Sequence, residues 1–182
     1  MRKSLILLGI LDDSDVEWML RAGVKDQIAA GTRLITEGQP LGSLYIVLSG
    51  QFAVTVGGAS KRIATLLPGE ILGEMSFVDS RPPSATVTAD QDSWVLDIPR
   101  REITERLNDE PAFGARFYRA VAVFLSSRLR DTVANLGYGK AVQLDENVED
   151  AGEISMDILD NVNLAGIRFS ILQERVRSAG SS

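Results

Sequence analysis

Short apolar runs separated by glycine fill the chain from Val24 to Pro99. Seven of these runs have the composition of β-strands: VKDQIA, RLIT, SLYIVLS, QFAVTV, RIATLL, ATVTA and SWVLDI. Short strands that recur about every 8 to 12 residues are typical of an all-β barrel, sandwich or roll. The pair Gly57-Gly58 lies between two runs and favours a hairpin turn, because glycine readily adopts positive φ.

Helical periodicity appears on both sides of this region. Ser14-Asp15-Val16-Glu17 fits a capping box that begins a short helix ending near Leu20 or Arg21. After Pro99, REITERLND predicts a second short helix. A long helix follows from Pro111 to Leu136, with the proline in its first turn. Apolar residues recur along it every three or four positions: Phe113, Phe117, Val121, Phe124, Leu125, Leu129, Val133 and Leu136.

This apolar stripe has two interpretations. It packs on the chain's own β domain, or it forms the interface of a homodimer. A helix of this length is roughly 40 Å long at 1.5 Å per residue, which exceeds the span of a small β domain. We therefore expect a dimer interface made by Phe113, Phe117, Val121, Phe124, Leu125 and Leu129.

The remainder of the chain divides into two further segments. Residues 137–153 are acidic and poor in apolar residues, which predicts a linker after a domain at residues 1–136. Residues 154–182 predict a helical extension, because ISMDILDNVNLAGIRFSILQERV has an amphipathic pattern. After residue 136 the chain carries eight acidic and four basic side chains.

Composition removes several classes of function. The chain of 182 residues has no cysteine and no histidine, so it lacks a thiolate, an imidazole base and the commonest metal ligands. We expect no enzymatic activity and no metal site.

The net charge of −6 gives no general attraction to nucleic acid or to an anionic membrane. The apolar run Leu5–Leu11 is too short to span a bilayer, and Asp12-Asp13-Ser14-Asp15 follows it instead of a cleavage site. We therefore expect a buried lead-in helix and a cytoplasmic location.

One segment, GEMSFVDSRPPSATV at residues 73–87, has the composition of an anion site. Gly73 permits a tight exit from a strand, and Glu74-Met75-Ser76-Phe77 can begin a short helix whose amide N–H groups face an anion. Glu74 at the rim would accept hydrogen bonds from sugar hydroxyls, and Ser84 adds a hydroxyl. This pairing predicts a nucleotide, although a connecting turn within the β domain explains the same segment.

The segment resembles the phosphate-binding cassette of the cyclic-nucleotide-binding domain family, whose pattern is FGE, small and apolar residues, then P-R-[AST]-A-[TS]-V. GTRLITEGQ, SLYIVLSG and LPGEILGEMS resemble the family's glycine-punctuated strands in the same order. PAFGARFYRAVAVFLSSRLRDT resembles the long C-helix of its bacterial regulators of the catabolite-activator (CRP/FNR) type. The resemblance covers about residues 5–136. It implies a mainly β fold with flanking helices: a jelly-roll of about eight antiparallel strands, a short N-terminal helix and a long C-terminal helix.

The resemblance also implies a set of ligand-binding residues. Glu74 would bond the ribose 2′-hydroxyl, amides of the turn at residues 73–76 would face the cyclic phosphate, and Thr132 would lie near the base. The family's arginine should stand at position 83, where this chain has proline, and Arg81 is the candidate substitute. The expected cassette residues are Gly73, Glu74, Met75, Ser76, Arg81, Pro83, Ser84, Ala85 and Thr86.

Two functions follow from the resemblance. The first is a regulatory module that senses cAMP, cGMP or a cyclic dinucleotide and signals through a dimeric C-helix. The second is a ligand-independent dimeric scaffold whose acidic tail and final helix bind a protein partner, which the loss of the arginine favours. The 46 residues after Leu136 are too few and too acidic for a winged helix-turn-helix, so we expect no direct DNA binding. An open cavity beneath residues 73–76 would favour the sensor, and a filled one the scaffold.

Overall fold

The structure is a computed structural model and describes residues 5–58, 62–79, 81–135 and 156–178. Within these ranges, eight strands and six helices follow one another along the chain. The elements are α1 (Leu5–Ile10), α2 (Asp13–Ala22), β1 (Val24–Ile28), β2 (Arg33–Ile35), β3 (Ser43–Ser49), β4 (Phe52–Thr55), β5 (Arg62–Leu66), β6 (Ile71–Leu72), α3 (Ser76–Asp79), β7 (Thr86–Ala89), β8 (Ser93–Pro99), α4 (Arg100–Asp109), α5 (Pro111–Asn135) and α6 (Met156–Ser178).

The strands form two four-stranded antiparallel sheets, which confirms the predicted β-roll. One sheet has the order β1-β8-β3-β6 and the other β2-β7-β4-β5. Each of the seven predicted runs contains a strand, and the eighth strand is the two-residue β6, which pairs with β3. The hairpin prediction at Gly57-Gly58 is also confirmed, because both residues have positive φ, at 69° and 63°.

The hydrophobic core has two parts, one on each side of the first sheet. Between the sheets lies a cluster of alternating strand residues: Ile28, Ile35, Val47, Phe52, Val54, Leu66, Leu72, Val87, Ala89 and Val95. The opposite face of the sheet carries Leu44, Ile46, Leu96 and Ile98, which pack against the helices. Strand side chains point alternately to the two faces, so a single run of apolar residues in β3 serves both cores.

Helix α2 begins two residues earlier than predicted. Asp12, not Ser14, caps α2: its carboxylate accepts a hydrogen bond from the amide of Asp15 at 2.9 Å, and its amide donates to the Asp15 carboxylate at 3.1 Å. The capping box therefore uses two aspartates, and Ser14 contributes only a hydroxyl bond to Asp12 at 2.7 Å. The preceding apolar run forms α1, whose Leu8 is buried, and Leu11 just after it is buried too.

Asp15 is fully buried and joins three helices. Its carboxylate accepts hydrogen bonds from Arg106 of α4 at 2.9 Å and from Arg116 of α5 at 2.7 and 2.9 Å. Two guanidinium groups thereby compensate one carboxylate that has lost its hydration. The arrangement fixes the beginning of α5 against α2 and α4.

The first half of α5 packs inside the chain, which corrects the prediction of a dimer interface for four residues. Phe113, Phe117, Val121 and Phe124 are all buried, and the Phe113 ring contacts that of Trp18 at an angle of 60° with centroids 5.5 Å apart. Side chains buried within one chain have no surface left for a second copy. The alternative interpretation, packing on the chain's own domain, holds for these residues.

The second half of α5 is different. Leu125 is half-buried, Leu129 is 65% exposed and Val133 is also exposed. The predicted stripe is therefore continuous in sequence but changes its environment along the helix: its first half is buried among the other helices, and Leu129 and Val133 of its second half face solvent. Leu136 lies outside the described residues.

Helix α6 packs against α1 and α2, so the C-terminal extension adds to the same helical layer. Ala165, Phe169 and Leu172 are buried in it, and the buried Arg168 donates to the carbonyls of Leu8 and Leu11 at 2.7 and 2.6 Å. The predicted linker at residues 137–153 lies outside the described residues. None of the helices in the described ranges is long and apolar enough to cross a membrane.

Candidate functional site

A cavity of about 360 Å³ lies between the β-roll, the cassette at residues 73–87 and α5. Aliphatic side chains of the roll form its floor: Ile35, Leu41, Val54, Leu66, Leu72 and Val87. The cassette and α5 supply its polar groups. The hollow beneath residues 73–76 is therefore open, the outcome that favours a sensor over a scaffold. Its size is within the ordinary range for a small-molecule site, roughly 300–1,000 Å³.

Gly73 makes the sharp turn that brings the cassette over the cavity. Its φ is +88°, and a Cβ atom here would lie 2.6 Å from Leu41 Cδ2 and 2.7 Å from the Ser43 carbonyl oxygen. No other residue fits without moving the backbone of β3. The predicted role of this glycine at the strand exit is confirmed.

The loop after Gly73 is closed by its own hydrogen bonds. The amide of Phe77 donates to the carbonyl of Glu74 at 3.2 Å, and the amides of Val78 and Asp79 donate to Met75 at 2.9 and 3.2 Å. The Ser76 hydroxyl donates to the carbonyl of Gly73 at 2.7 Å. These bonds form a compact turn that leads into α3, a single helical turn.

Glu74 lies inside the cavity wall, not at its rim as the sequence suggested. It is only 2% exposed, and Arg128 Nη1 lies 3.1 Å from its Oε1 atom. Burial raises the pKa of the Glu74 carboxyl, and the neighbouring Arg128 charge opposes that shift. An acceptor held by an arginine at this depth is suited to recognise a hydroxyl or an amine.

Arg128 is the residue that the sequence analysis missed. It lies on α5 and lines the cavity together with Leu125, Leu129 and Thr132. These four positions have the spacing i, i+3, i+4 and i+7, so they share one helix face. The signal was available, since Thr132 was a candidate and Arg128 precedes it by one turn. The apolar periodicity of α5 does not by itself show that Arg128 faces the cassette.

Arg81 lines the cavity from its outer edge. Its side chain is 84% exposed, and its Nε atom lies 3.8 Å from the carboxylate of Asp79. Pro83 also lines the cavity, and its carbonyl accepts a hydrogen bond from Gly38 at 2.9 Å. The cassette thus presents one solvated arginine at the mouth and a proline at the position where a buried cation was expected.

Most of the other predicted site residues meet at the cavity. Met75, Ser76, Ser84, Ala85 and Thr132 line it. The Thr132 hydroxyl donates to the carbonyl of Arg128 at 2.9 Å, which leaves its oxygen able to accept.

Thr86 is the exception among the predicted cassette residues. It does not line the cavity, and its hydroxyl instead accepts a hydrogen bond from the Glu37 amide at 3.1 Å. Thr86 therefore holds the loop after β2. In the part of the chain that the structure describes, no group of three or more His, Cys, Asp or Glu side chains is placed to hold a metal ion.

Comparison with known proteins places this fold in a family. A family model described as the cyclic nucleotide-binding domain matches residues 25–110. The Cyclic AMP receptor protein of Thermus thermophilus is 31% identical over 109 residues, which are 54% of this chain and 49% of that protein. Glutaminase 2 of Bradyrhizobium diazoefficiens is 30% identical over 123 residues, which are 68% of this chain and 19% of that protein.

One solved structure matches the chain with higher coverage. The crystal structure of the N-terminal domain of a transcriptional regulator from Streptomyces coelicolor A3(2) is 30% identical, with a TM-score of 0.58. The match covers 70% of this chain and 90% of that domain. The chain spans at most about half the length of the two curated relatives described above.

Proposed function

This chain belongs to the cyclic nucleotide-binding domain family, and we propose that it is a non-enzymatic regulatory module whose cavity binds a cyclic nucleotide. One observation carries the proposal. A buried carboxylate, Glu74, and an arginine, Arg128, meet in the wall of an open cavity beneath the turn at Gly73. A ligand that combines hydroxyls with one negative charge satisfies both groups.

The two ends of the cavity differ in character, which supports one ligand orientation. The ribose and phosphate would lie beneath the cassette turn, where Glu74 accepts a hydrogen bond from a sugar hydroxyl. The base would lie toward α5, between the apolar side chains of Leu125 and Leu129 and beside the Thr132 hydroxyl. An apolar slot with one polar group suits the flat face and polar edge of a purine.

Arg128 would supply the positive charge that Pro83 does not. Its side chain is about one-third exposed and already lies in the cavity wall, so a small rotation brings the guanidinium to a ligand phosphate. A charge-assisted hydrogen bond of this kind contributes about 1.5–3 kcal/mol, roughly 10- to 150-fold in affinity. The cation would then come from α5 rather than from the cassette.

Isothermal titration of the purified chain with cAMP, cGMP and cyclic dinucleotides tests the proposal. The name of the Thermus thermophilus relative makes cAMP the first ligand to measure. We expect saturable binding of at least one of these ligands, and its loss in Glu74→Gln, which keeps the shape of the side chain but removes the charge. No heat change with any of these ligands at millimolar concentration contradicts the proposal.

We further propose that the free half of α5 forms the dimer contact. Leu129 and Val133 are exposed and lie four residues apart on one face, beside the cavity mouth. A second copy of α5 placed there would cover both side chains and close the cavity. Binding of the nucleotide would then be read out through the position of α5.

A ligand-independent scaffold is the second candidate function. Pro83 favours it, because the expected cassette cation is absent from this position, and the Glu74–Arg128 ion pair already satisfies both charges without a ligand. On this alternative, the chain dimerises and binds a protein partner with no response to nucleotides. Dimerisation measured with and without saturating cAMP separates the two functions.

A further inference from the structure

Arg100, the first residue of α4, reaches the cassette from the far side of the turn. Its Nη2 atom donates a hydrogen bond to the carbonyl of Ser76 at 2.8 Å. Its guanidinium lies over the ring of Phe77, 4.8 Å from the centroid. Its own amide donates to the carbonyl of Gly42 at 2.8 Å, so the backbone from which the side chain extends is fixed.

These contacts act on two consecutive residues of the loop that covers the cavity. Ser76 is almost fully buried, so its carbonyl would lose a partner in a place with little access to water if Arg100 were absent. The cation over the Phe77 ring adds an electrostatic attraction to the ring face. The N–H donors of a guanidinium lie in its plane. The group can therefore place its face over the Phe77 ring while an N–H at its edge donates to the Ser76 carbonyl.

Phe77 also contacts α5. Its ring meets that of the buried Phe117 edge-on, with centroids 5.6 Å apart and planes at 77°. The ring therefore contacts both a cation of α4 and an aromatic ring of α5. Both helices fix the loop through one residue, and the loop carries Glu74 three positions earlier.

We propose that Arg100 is a positioning residue that holds the cassette turn at residues 73–79 in the conformation that accepts a ligand. It does not line the cavity and would act on the ligand only through Ser76 and Phe77. This inference rests on the proposed function for the identity of the ligand. Its structural part, the hold on the turn, is measurable without any ligand.

Three variants separate this role from a general effect of charge. Arg100→Met keeps the length of the side chain and removes the donors, and Arg100→Lys restores a charge with a single point of contact. Arg101→Met is the matched control, because Arg101 is the next residue, is largely exposed and pairs only with Glu102 and Glu105 among the described contacts.

Hydrogen exchange in the ligand-free protein is the first measurement. The amides of Phe77, Val78 and Asp79 close the turn, so their exchange reports its opening. We expect Arg100→Met to accelerate their exchange at least about tenfold, with Arg100→Lys intermediate and Arg101→Met unchanged. Equal exchange in Arg100→Met and Arg101→Met overturns the inference.

Nucleotide affinity and melting temperature are the second and third measurements. If the wild type binds a nucleotide, Arg100→Met should weaken binding about tenfold or more, with partial recovery in Arg100→Lys and a melting temperature only a few degrees below that of Arg101→Met. Unchanged affinity in Arg100→Met overturns the inference and leaves the proposed function standing. If the wild type binds nothing while exchange still rises in Arg100→Met, the proposed function fails and the hold on the turn is supported.

Discussion

Glu74 and Arg128 lie 54 residues apart in sequence and form an ion pair of 3.1 Å in the wall of the cavity. The carboxylate belongs to the loop after β6 and the guanidinium to α5, so the pair connects the cassette to the helix that continues beyond the domain. A ligand that binds either group must share or break this contact. Under the proposed function, the ion pair would couple occupancy of the cavity to the position of α5.

Replacement of Arg128 tests its proposed role as the phosphate cation. We expect Arg128→Met to weaken nucleotide binding by roughly 10- to 150-fold, the contribution of a charge-assisted hydrogen bond. The exposed Arg130 lies two residues away, and Arg130→Met serves as the control with the same change of net charge. Equal affinities of the two variants in isothermal titration would show that Arg128 does not contact the phosphate.

Pro83→Arg tests whether the cassette has kept the shape of the site. Position 83 lines the cavity, and the hydrogen bond that Pro83 makes uses its carbonyl, which arginine retains. We expect affinity for cAMP or cGMP to rise about tenfold or more. Pro83→Ala is the control, because it removes the ring without adding a cation. The scaffold function gains support if neither the wild type nor Pro83→Arg binds a nucleotide.

The buried carboxyl of Glu74 should make stability depend on pH. Burial raises its pKa above the unfolded value of about 4.5, so the folded state holds the proton more tightly than the unfolded state. The free energy of unfolding then falls as pH rises from about 4.5 through the raised pKa. Glu74→Gln should remove this part of the decline, since Gln does not titrate.

Urea unfolding of the wild type and of Glu74→Gln between about pH 4.5 and 7.5 measures this effect. As pH rises, the unfolding free energy of Glu74→Gln should increase relative to that of the wild type. A constant difference across the range would mean that Glu74 ionises in the folded protein as readily as in the unfolded chain.

Arg168 should be important for stability although it lies far from the cavity. It donates to the carbonyls of Leu8 and Leu11, and it lies 2.6 Å from the carboxylate of Asp13. Arg168→Met would leave two buried carbonyls without this donor, and we expect a loss of about 3 kcal/mol in unfolding free energy. The exposed Arg119 provides the control variant Arg119→Met, for which urea unfolding should show almost no change.

The dimer contact proposed for α5 predicts a change in molecular mass. Leu129→Glu places a charge at the centre of the exposed stripe, and light scattering should then report a monomer where the wild type is a dimer. Ser127→Glu adds the same charge roughly 200° around the helix, away from the stripe, and should leave the dimer intact. A monomeric wild type would show that α5 forms no dimer contact. A dimer in both variants would show that the contact lies elsewhere than at Leu129.

The β-roll was predictable because its signal is local. Apolar runs separated by glycine indicate the strands, and Gly57-Gly58 indicates one hairpin turn. The strand β6 has only two residues and is held by β3, so no pattern of its own marks it. The partner of α5 was not predictable, because a period of three to four residues shows that a helix face is buried but not against which surface.

The candidate site was predictable where a backbone requirement marks it, as at Gly73. The burial of Glu74 in the cavity wall was not predictable, because it depends on how closely α5 packs on the cassette. Arg128 was readable from its position one turn before Thr132, but its pairing with Glu74 requires the fold. The position of Thr86 outside the cavity lining was not predictable, because its hydroxyl accepts a hydrogen bond from Glu37, a contact between loops that no spacing reveals.

Asp15 of α2 anchors only the beginning of α5. The carboxylate holds Arg106 and Arg116 in the interior, so a tilt of the helix at its beginning would separate buried charges at a cost of about 3–5 kcal/mol. Bending after Phe124 leaves these contacts in place and changes the pairing of Arg128 with Glu74 instead. Under the proposed function, a ligand that binds Arg128 would therefore shift the second half of α5 relative to its anchored first half.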